Sequence, residues 1–569
     1  MLISRRTALV GGLSGTVAAC SSQPVLGTFQ SSQRARTGTF SCGVASGDPA
    51  AGSVVLWTRL SGYTGTVRVR AEVAEDTAFT RPVRVVEAET GPERDWTVKV
   101  VADGLEPGQR YAYRFLVGDD PSPVGLTRTL PEETDKVRLA VASCSHYGFG
   151  FFNAYDHIAQ QTDVDAVLHL GDYIYEYGND GYGGERARSI GRLHDPAREV
   201  LSLDDYRRRH RQYKKDAACQ RMHAAHPMIA VWDDHETSND SFKNGAENHQ
   251  LRTEGPWETR KRAALQAYYE YMPVREPEPG KSREQLFKSY SWGKFLTLPV
   301  IESRLTARSK QVPFSNIAKT LDTPDKVETF RRDVLGDPSR ELLGAEQLGF
   351  IADTLKTSVD ESVTWRVIAN QVLMARVIVP DLTPYFDEDA IAKTEPDFPE
   401  IRDFLTVSTL GLPVTLDTWD GYPAARDRFY GRAAAAGARD LIVLTGDSHQ
   451  FWANDLTRDD GTAMGVELGT SGITSPGTSA YLGEGAFDFS LLLRQKNQDI
   501  RYTDPIHQGY MVVNFEEDEA NAEFISVSTI LEPTYEAFRS AAFDLVRADG
   551  TVKLDNPKGL GFKERILFG

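Results

Sequence analysis

Apolar and polar positions divide the chain into two textures. Between residues 38 and 129 they alternate over short runs. Thr66-Val67-Arg68-Val69-Arg70-Ala71-Glu72-Val73 has period two, as has Trp96-Thr97-Val98-Lys99-Val100, which marks half-buried strands. Leu105-Glu106-Pro107-Gly108, followed by Tyr111-Ala112-Tyr113-Arg114-Phe115, reads as a turn feeding a strand through a tyrosine corner. The pattern predicts an N-terminal β-sandwich of fibronectin or immunoglobulin type over 38–129, a packing module without chemistry of its own.

From 136 to 528 near-continuous apolar runs alternate with longer amphipathic segments, the α/β pattern. Helices are expected over 152–161, 204–215 and 341–355. The second is charged, basic on most of its surface, and reads as a solvated face. The tail, 531–569, is weakly patterned. No internal repeat or low-complexity block interrupts the chain.

Four apolar runs end in residues that bind metal well. Val137–Ala142 leads to Ser143-Cys144-Ser145-His146, and Asp165–Leu170 to Gly171-Asp172-Tyr173-Ile174-Tyr175. Met228–Trp232 leads to Asp233-Asp234-His235-Glu236, and Leu441–Thr445 to Gly446-Asp447-Ser448-His449. Such runs are strands buried on both faces, and sites in such sheets form outside the C-terminal strand ends. A single Asp after a strand is often a helix cap. Four such ends, two of them carrying Asp with a nearby His, predict a shared metal site. Thiolate, phenolate and imidazole suit a polarising transition ion such as ferric iron, while carboxylates and amides suit calcium. A carboxylate between two ions can bridge them.

Composition narrows the partners. The chain has 569 residues, 40% hydrophobic and 25% charged, with a formal net charge of −17. At about 100–200 residues per domain, that length allows two to four domains. The acidic balance argues against a nucleic-acid-binding surface. It leaves a phosphate substrate open, because a metal cluster reverses the local field. Ser4-Arg5-Arg6-Thr7-Ala8-Leu9 is a twin-arginine pattern, and the apolar run Leu9–Ala19 is too short to span a membrane. Val17-Ala18-Ala19-Cys20 resembles a lipobox. Residues 1–20 are therefore read as a lipoprotein-type signal and 21–37 as a linker. The twin-arginine machinery is the export partner. The mature chain is expected in the periplasm or at the cell surface, attached to membrane only through a lipid on Cys20; plain cleavage at an Ala-x-Ala-like site is the rival. Cys42, Cys144 and Cys219 remain, an odd number, so no complete disulfide framework forms.

At these motifs the sequence resembles the PhoD-like alkaline phosphatase/phosphodiesterase family, a branch of the calcineurin-like metallophosphoesterases. Phe40–Pro49 and Val55–Arg59 look like the opening of its N-terminal sandwich domain. Gly171–Tyr175, Trp232–Glu236, Leu343-Gly344-Ala345-Glu346-Gln347 and Gly446–His449 look like its catalytic motifs. The resemblance implies a metallophosphoesterase α/β sandwich behind that domain. It implies Fe3+ and one or two Ca2+ ions, with Asp172 bridging. Cys144, Tyr175 and His449 would hold iron, where purple acid phosphatases use Asp in place of Cys144. Asp234, Asp447 and Asn370 would hold calcium, and His235 would face the leaving group. Arg304 would reach a substrate phosphate, although Glu302-Ser303-Arg304-Leu305-Thr306 departs from the Asp-Thr-Arg-x-Tyr run expected there. Tyr173 and Cys219 are left to packing, Cys42 without a role, and His146 and His169 as hydrogen-bonded neighbours of the motifs.

The implied reaction is hydrolysis of phosphoric esters by attack of a metal-bound hydroxide, in an exported alkaline phosphatase or phosphodiesterase. A phospholipase D-type phosphodiesterase is the alternative, since the family has such members. A non-catalytic surface metal-binding protein is a third reading, and the full ligand set argues against it. The C-terminal tail could roof the pocket, as a helix does in some relatives.

Overall fold

Period-two alternation does build a sandwich. The computed structural model describes residues 39–313, 317–396, 398–478, 480 and 489–558. The signal, lipobox and linker expectations at 1–37 lie outside the described residues, as does the end of the tail. Strands Val44–Ala50, Ser53–Arg59 and Thr97–Asp103 face Arg84–Thr90, Val67–Ala74, Arg110–Val117 and Gly125–Arg128. Alternate residues Val54, Leu56, Val69, Ala71, Val73, Val98, Tyr113 and Phe115 fill the space between them. The Tyr111 hydroxyl accepts the Glu106 N–H at 3.0 Å, which makes the tyrosine corner.

The boundary between 129 and 136 divides the chain but not the sheet. Val44–Ala50 pairs in parallel with Pro227–Ala230, Gly47 opposite Met228. Only glycine fits there: a Cβ on Gly47 would lie 2.5 Å from the Met228 carbonyl oxygen and 2.6 Å from that of Pro273. One ten-stranded sheet therefore runs from the sandwich through the parallel strands Pro227–Ala230, Ala166–His169 and Lys136–Ala142. It continues antiparallel through Gly509–Glu516, Ala520–Val527, Ala537–Ala548 and Thr551–Lys558.

A seven-stranded sheet lies against it, with Leu296–Val300, Trp365–Ala369, Leu441–Thr445 and Ala463–Gly469 parallel at its centre. Leu139, Val141, Val167 and Leu168 from one sheet share a core with Leu298, Val367, Leu444 and Val466 from the other. Every residue of Leu441–Thr445 is buried, which explains its unbroken apolar sequence. A bridge between Ser143 and Gly472 joins the sheets just past their parallel strands. The parallel strand ends thus gather along one edge.

Helices form at Asn153–Gln160, Leu203–Lys214 and Gly344–Asp360, close to expectation. The charged helix Leu203–Lys214 corrects the reading of a solvated face, because Tyr206, Arg209, His210, Tyr213 and Lys214 are buried. Of the weakly patterned tail, the described part supplies two strands at the edge of the larger sheet, Ala537–Ala548 and Thr551–Lys558. Residues 559–569 lie outside the described residues. Among the described residues no helix is long and apolar enough to cross a membrane.

Candidate metal centre at the strand ends

Three of the parallel strands, Lys136–Ala142, Ala166–His169 and Leu441–Thr445, run into sharp turns. Cys144, Asp172, Asp447 and His449 have φ of 59°, 54°, 60° and 59°, a left-handed conformation that L-residues avoid unless surrounding structure imposes it. The turns interlock: the Cys144 N–H donates to the Gly171 carbonyl and the Ser145 N–H to that of Asp172. Donor atoms of Cys144, Asp172 and His449 fall within 4.8 Å of one another, as do those of Asp172, Asp234 and His235, and those of Asp233, Asp234 and Asp447. Asp172 belongs to the first two groups, between the thiol side and the carboxylate side.

Tyr175 joins the thiol side. Its hydroxyl donates to Asp172 Oδ2 at 3.1 Å and lies 3.3 Å from His449 Nε2. His449 Nδ1 is 3.1 Å from the Pro476 carbonyl, which can only accept. The proton is therefore on Nδ1, and the Nε2 lone pair faces the cluster.

The cluster is buried and rich in acid. Burial pushes the Cys144 thiol, the Tyr175 phenol and the Asp172 and Asp447 carboxyls well above their usual ranges. Asp233 is raised to about 6 by burial and by Asp234, against the pull of Arg304. Burial also opposes charge on Asp234, but Arg304 and His235 outweigh it and hold that carboxyl at about 2. Asp234 Oδ1 has no hydrogen-bond partner; its nearest cation, Arg304 Nη2, is 3.5 Å away. A buried carboxylate oxygen in that state calls for a cation. The donor set suits a polarising transition ion beside Cys144, Tyr175, His449 and Asp172, and a hard cation beside Asp172, Asp234 and Asp447.

Two expected site residues have other company. Arg304 is fully buried, and its nitrogens meet only carboxylates: Asp233 at 2.5 and 3.1 Å, Asp417 at 2.7 and 3.0 Å, Asp447 at 3.3 Å. No guanidinium nitrogen is left without a carboxylate. Arg304 is the cluster's counter-ion. Asn370 donates to the Val372 carbonyl at 2.5 Å and accepts from Trp419 Nε1 at 3.3 Å. Both ends of its amide are engaged by groups outside the cluster, the arrangement of a buried amide closing a strand.

His235 lies against Tyr175, ring centroids 4.1 Å apart, and its backbone N–H donates to Asp172 Oδ1 at 3.3 Å. Burial opposes charge on the ring, but Asp234, Glu176 and Asp172 raise its pKa well above the usual value. Glu176 and Glu236 were not foreseen. Glu176 Oε2 takes His235 Nδ1, leaving Nε2 as the free end. Glu236 accepts the N–H groups of Asp172, Tyr173 and Asp233 at 3.0, 2.6 and 2.9 Å, tying two ligand turns together. Glu236 closes one motif run and Glu176 directly follows another, so adjacency to His235 and Tyr175 was the available signal. His146 packs on Tyr175, and His169 Nε2 pairs with the Tyr155 hydroxyl at 2.7 Å. Tyr173 hydrogen-bonds His223 and Cys219 in the core.

Residues 139–524 match the family described as PhoD-like phosphatase, and residues 26–131 match the N-terminal domain of PhoD-like phosphatases. Alkaline phosphatase D of Bacillus subtilis (strain 168) is 33% identical over 511 residues, covering 87% of this chain and 78% of that protein. A solved structure of PhoD aligns with a TM-score of 0.74 at 29% identity, covering 94% of this chain and 97% of that one.

Proposed function

The chain belongs to the PhoD-like phosphatase family, a phosphoric ester hydrolase homologous to alkaline phosphatase D, and from that premise we propose the chemistry of its site. Cys144, Tyr175, His449 and Asp172 would hold ferric iron, and Asp172, Asp234 and Asp447 one or two calcium ions. Bound there, the ions would supply the positive charge that receives the phosphoryl oxygens and activates water. The observation that carries the reading is the sharing of Asp172 between two donor groups of different softness.

The chain's own residues do the rest. Arg304 balances part of the acidic cluster and keeps Asp234 ionised for a cation. Glu176 holds His235 with Nε2 free, and the neighbouring carboxylates keep the ring protonated. His235 then donates a proton to the departing alkoxide as a general acid. Metal analysis of the purified protein tests the ligand assignment, with iron plus calcium expected. Phosphomonoester, phosphodiester and phosphatidylcholine substrates, each assayed with calcium and with chelator, test the reaction. Chelator-insensitive turnover, or none on any ester, would sink it. Turnover of phosphatidylcholine alone would select the phospholipase D-type alternative.

Export follows the twin-arginine pattern at Ser4–Leu9, with a lipid on Cys20. Replacing Arg5 and Arg6 with Lys should retain the precursor in the cytoplasm. Cys20→Ser should move the exported protein from the membrane to the soluble fraction.

A further inference from the structure

The run Thr470–Ser475 follows strand Ala463–Gly469, and its hydroxyl residues are all buried. Thr474 Oγ1 donates to the His146 carbonyl at 2.8 Å and Ser471 Oγ to that of His507 at 2.6 Å. These hydroxyls tie loops together. Ser475 is placed differently. Its Oγ lies 2.7 Å from the Tyr175 hydroxyl and 3.0 Å from the Cys144 carbonyl oxygen. A carbonyl only accepts, so Ser475 donates toward Cys144. The Tyr175 proton goes to Asp172 Oδ2, so the other oxygen within reach of Ser475 is a phenol oxygen that can still accept.

The Cys144 carbonyl does not depend on that hydroxyl. It also receives the backbone N–H groups of Thr474 and Ser475, each at 3.3 Å. Ser475 can therefore rotate its O–H away without leaving a buried acceptor unpaired.

We propose that Ser475 is a positioning residue for Tyr175 that turns its O–H onto the phenol oxygen when Tyr175 binds an ion. The inference rests on reading Tyr175 as a ligand of ferric iron. A phenol that binds an ion surrenders its proton and becomes an acceptor only. The Ser475 O–H then turns from Cys144 to the phenolate oxygen, and no heavy atom moves. Its neighbour Pro476 offers the carbonyl that fixes His449 Nδ1–H. One dipeptide thus orients both the phenolate and the imidazole from behind. A hydrogen bond to a phenolate withdraws electron density from it, which raises the energy of phenolate-to-iron charge transfer.

The full-length protein, freed of metal and titrated with ferric iron, tests this by its visible absorption. The wild type should develop a charge-transfer band that Tyr175→Phe lacks. Ser475→Ala should shift the band to longer wavelength and weaken iron binding about 10-fold. Ser475→Thr, which keeps the hydroxyl, should hold the wild-type band position. An unshifted band and unchanged affinity in Ser475→Ala overturn the proposal, and so does an equal shift in both variants, which would mark a packing effect. A band absent from the wild type, or persisting in Tyr175→Phe, removes Tyr175 as a ligand and overturns the iron reading together with this one.

Discussion

Glu176 Oε2 stands 2.7 Å from His235 Nδ1, both groups buried, with Glu176 Oε1 held by the Asn239 N–H and the Asn248 amide. Burial alone would raise the Glu176 carboxyl, but His235 and its other partners hold it below the usual range. The pair fixes which nitrogen of His235 is free and supports its charge. Glu176→Gln removes the negative partner. The His235 pKa should fall, so the alkaline limb of the rate profile should move to lower pH. We expect kcat to drop about 10²-fold with KM little changed. A wild-type pH–rate profile in this variant would show that the pair has no part in turnover.

Asp172 belongs both to the donor group of Cys144 and His449 and to that of Asp234 and His235. Asp172→Asn keeps its size and removes its charge. Hydrolysis should fall by about 10³-fold or more, since the loss of joint metal binding removes several kcal/mol of stabilisation. Circular dichroism should still report a folded protein. Near wild-type activity would refute the bridging role.

Chelation should destabilise as well as inactivate. Asp233, Asp234 and Asp447 are crowded around Arg304, which also serves Asp417, and Asp172 lies beside Asp234. Without cations the buried carboxylates lose their compensating charge, and Asp172 and Asp447 are pushed toward their protonated forms. A cation present at about 100 times its Kd adds roughly 2.7 kcal/mol to the folded state. Thermal melts with calcium and with chelator should differ accordingly, and Asp234→Asn, which relieves the crowding, should shrink the difference. Equal melts would argue that no cation binds here.

The catalytic edge was legible because fully buried parallel strands leave unbroken apolar runs, and their ligands follow within a few residues. Cys144, Asp172, Asp234 and His449 could be found that way. What was hidden depends on partners far along the chain. Arg304 reads as a phosphate-facing cation, and only the fold shows Asp233 and Asp417 around it. Ser475 is one hydroxyl among several until the fold brings it to Tyr175, 300 residues earlier. Glu176 and Glu236 look like ordinary surface acids beside a motif, although both are buried. The helix Leu203–Lys214 misled for the same reason, because polar side chains with buried partners are indistinguishable in sequence from solvated ones.

Lys214 on that helix gives the pH-dependent test. It is buried, donates to His223 Nε2 at 2.7 Å, and lies over the rings of Trp57 and Tyr173 at 5.1 and 4.7 Å. Burial lowers its pKa from 10.5 to about 8, only partly offset by the nearby thiols of Cys219 and Cys42. The folded state thus binds this proton less tightly than the unfolded state. The contribution of Lys214 to stability is full above pH 10.5 and is lost as pH falls through about 8. Across that window it amounts to about 3 kcal/mol. Lys214→Met has no such proton. Urea unfolding of both proteins between pH 7 and 10.5 should show the wild type gaining on the variant by about that amount. A stability difference that stays flat over this range would mean that Lys214 keeps its ordinary pKa in the folded protein.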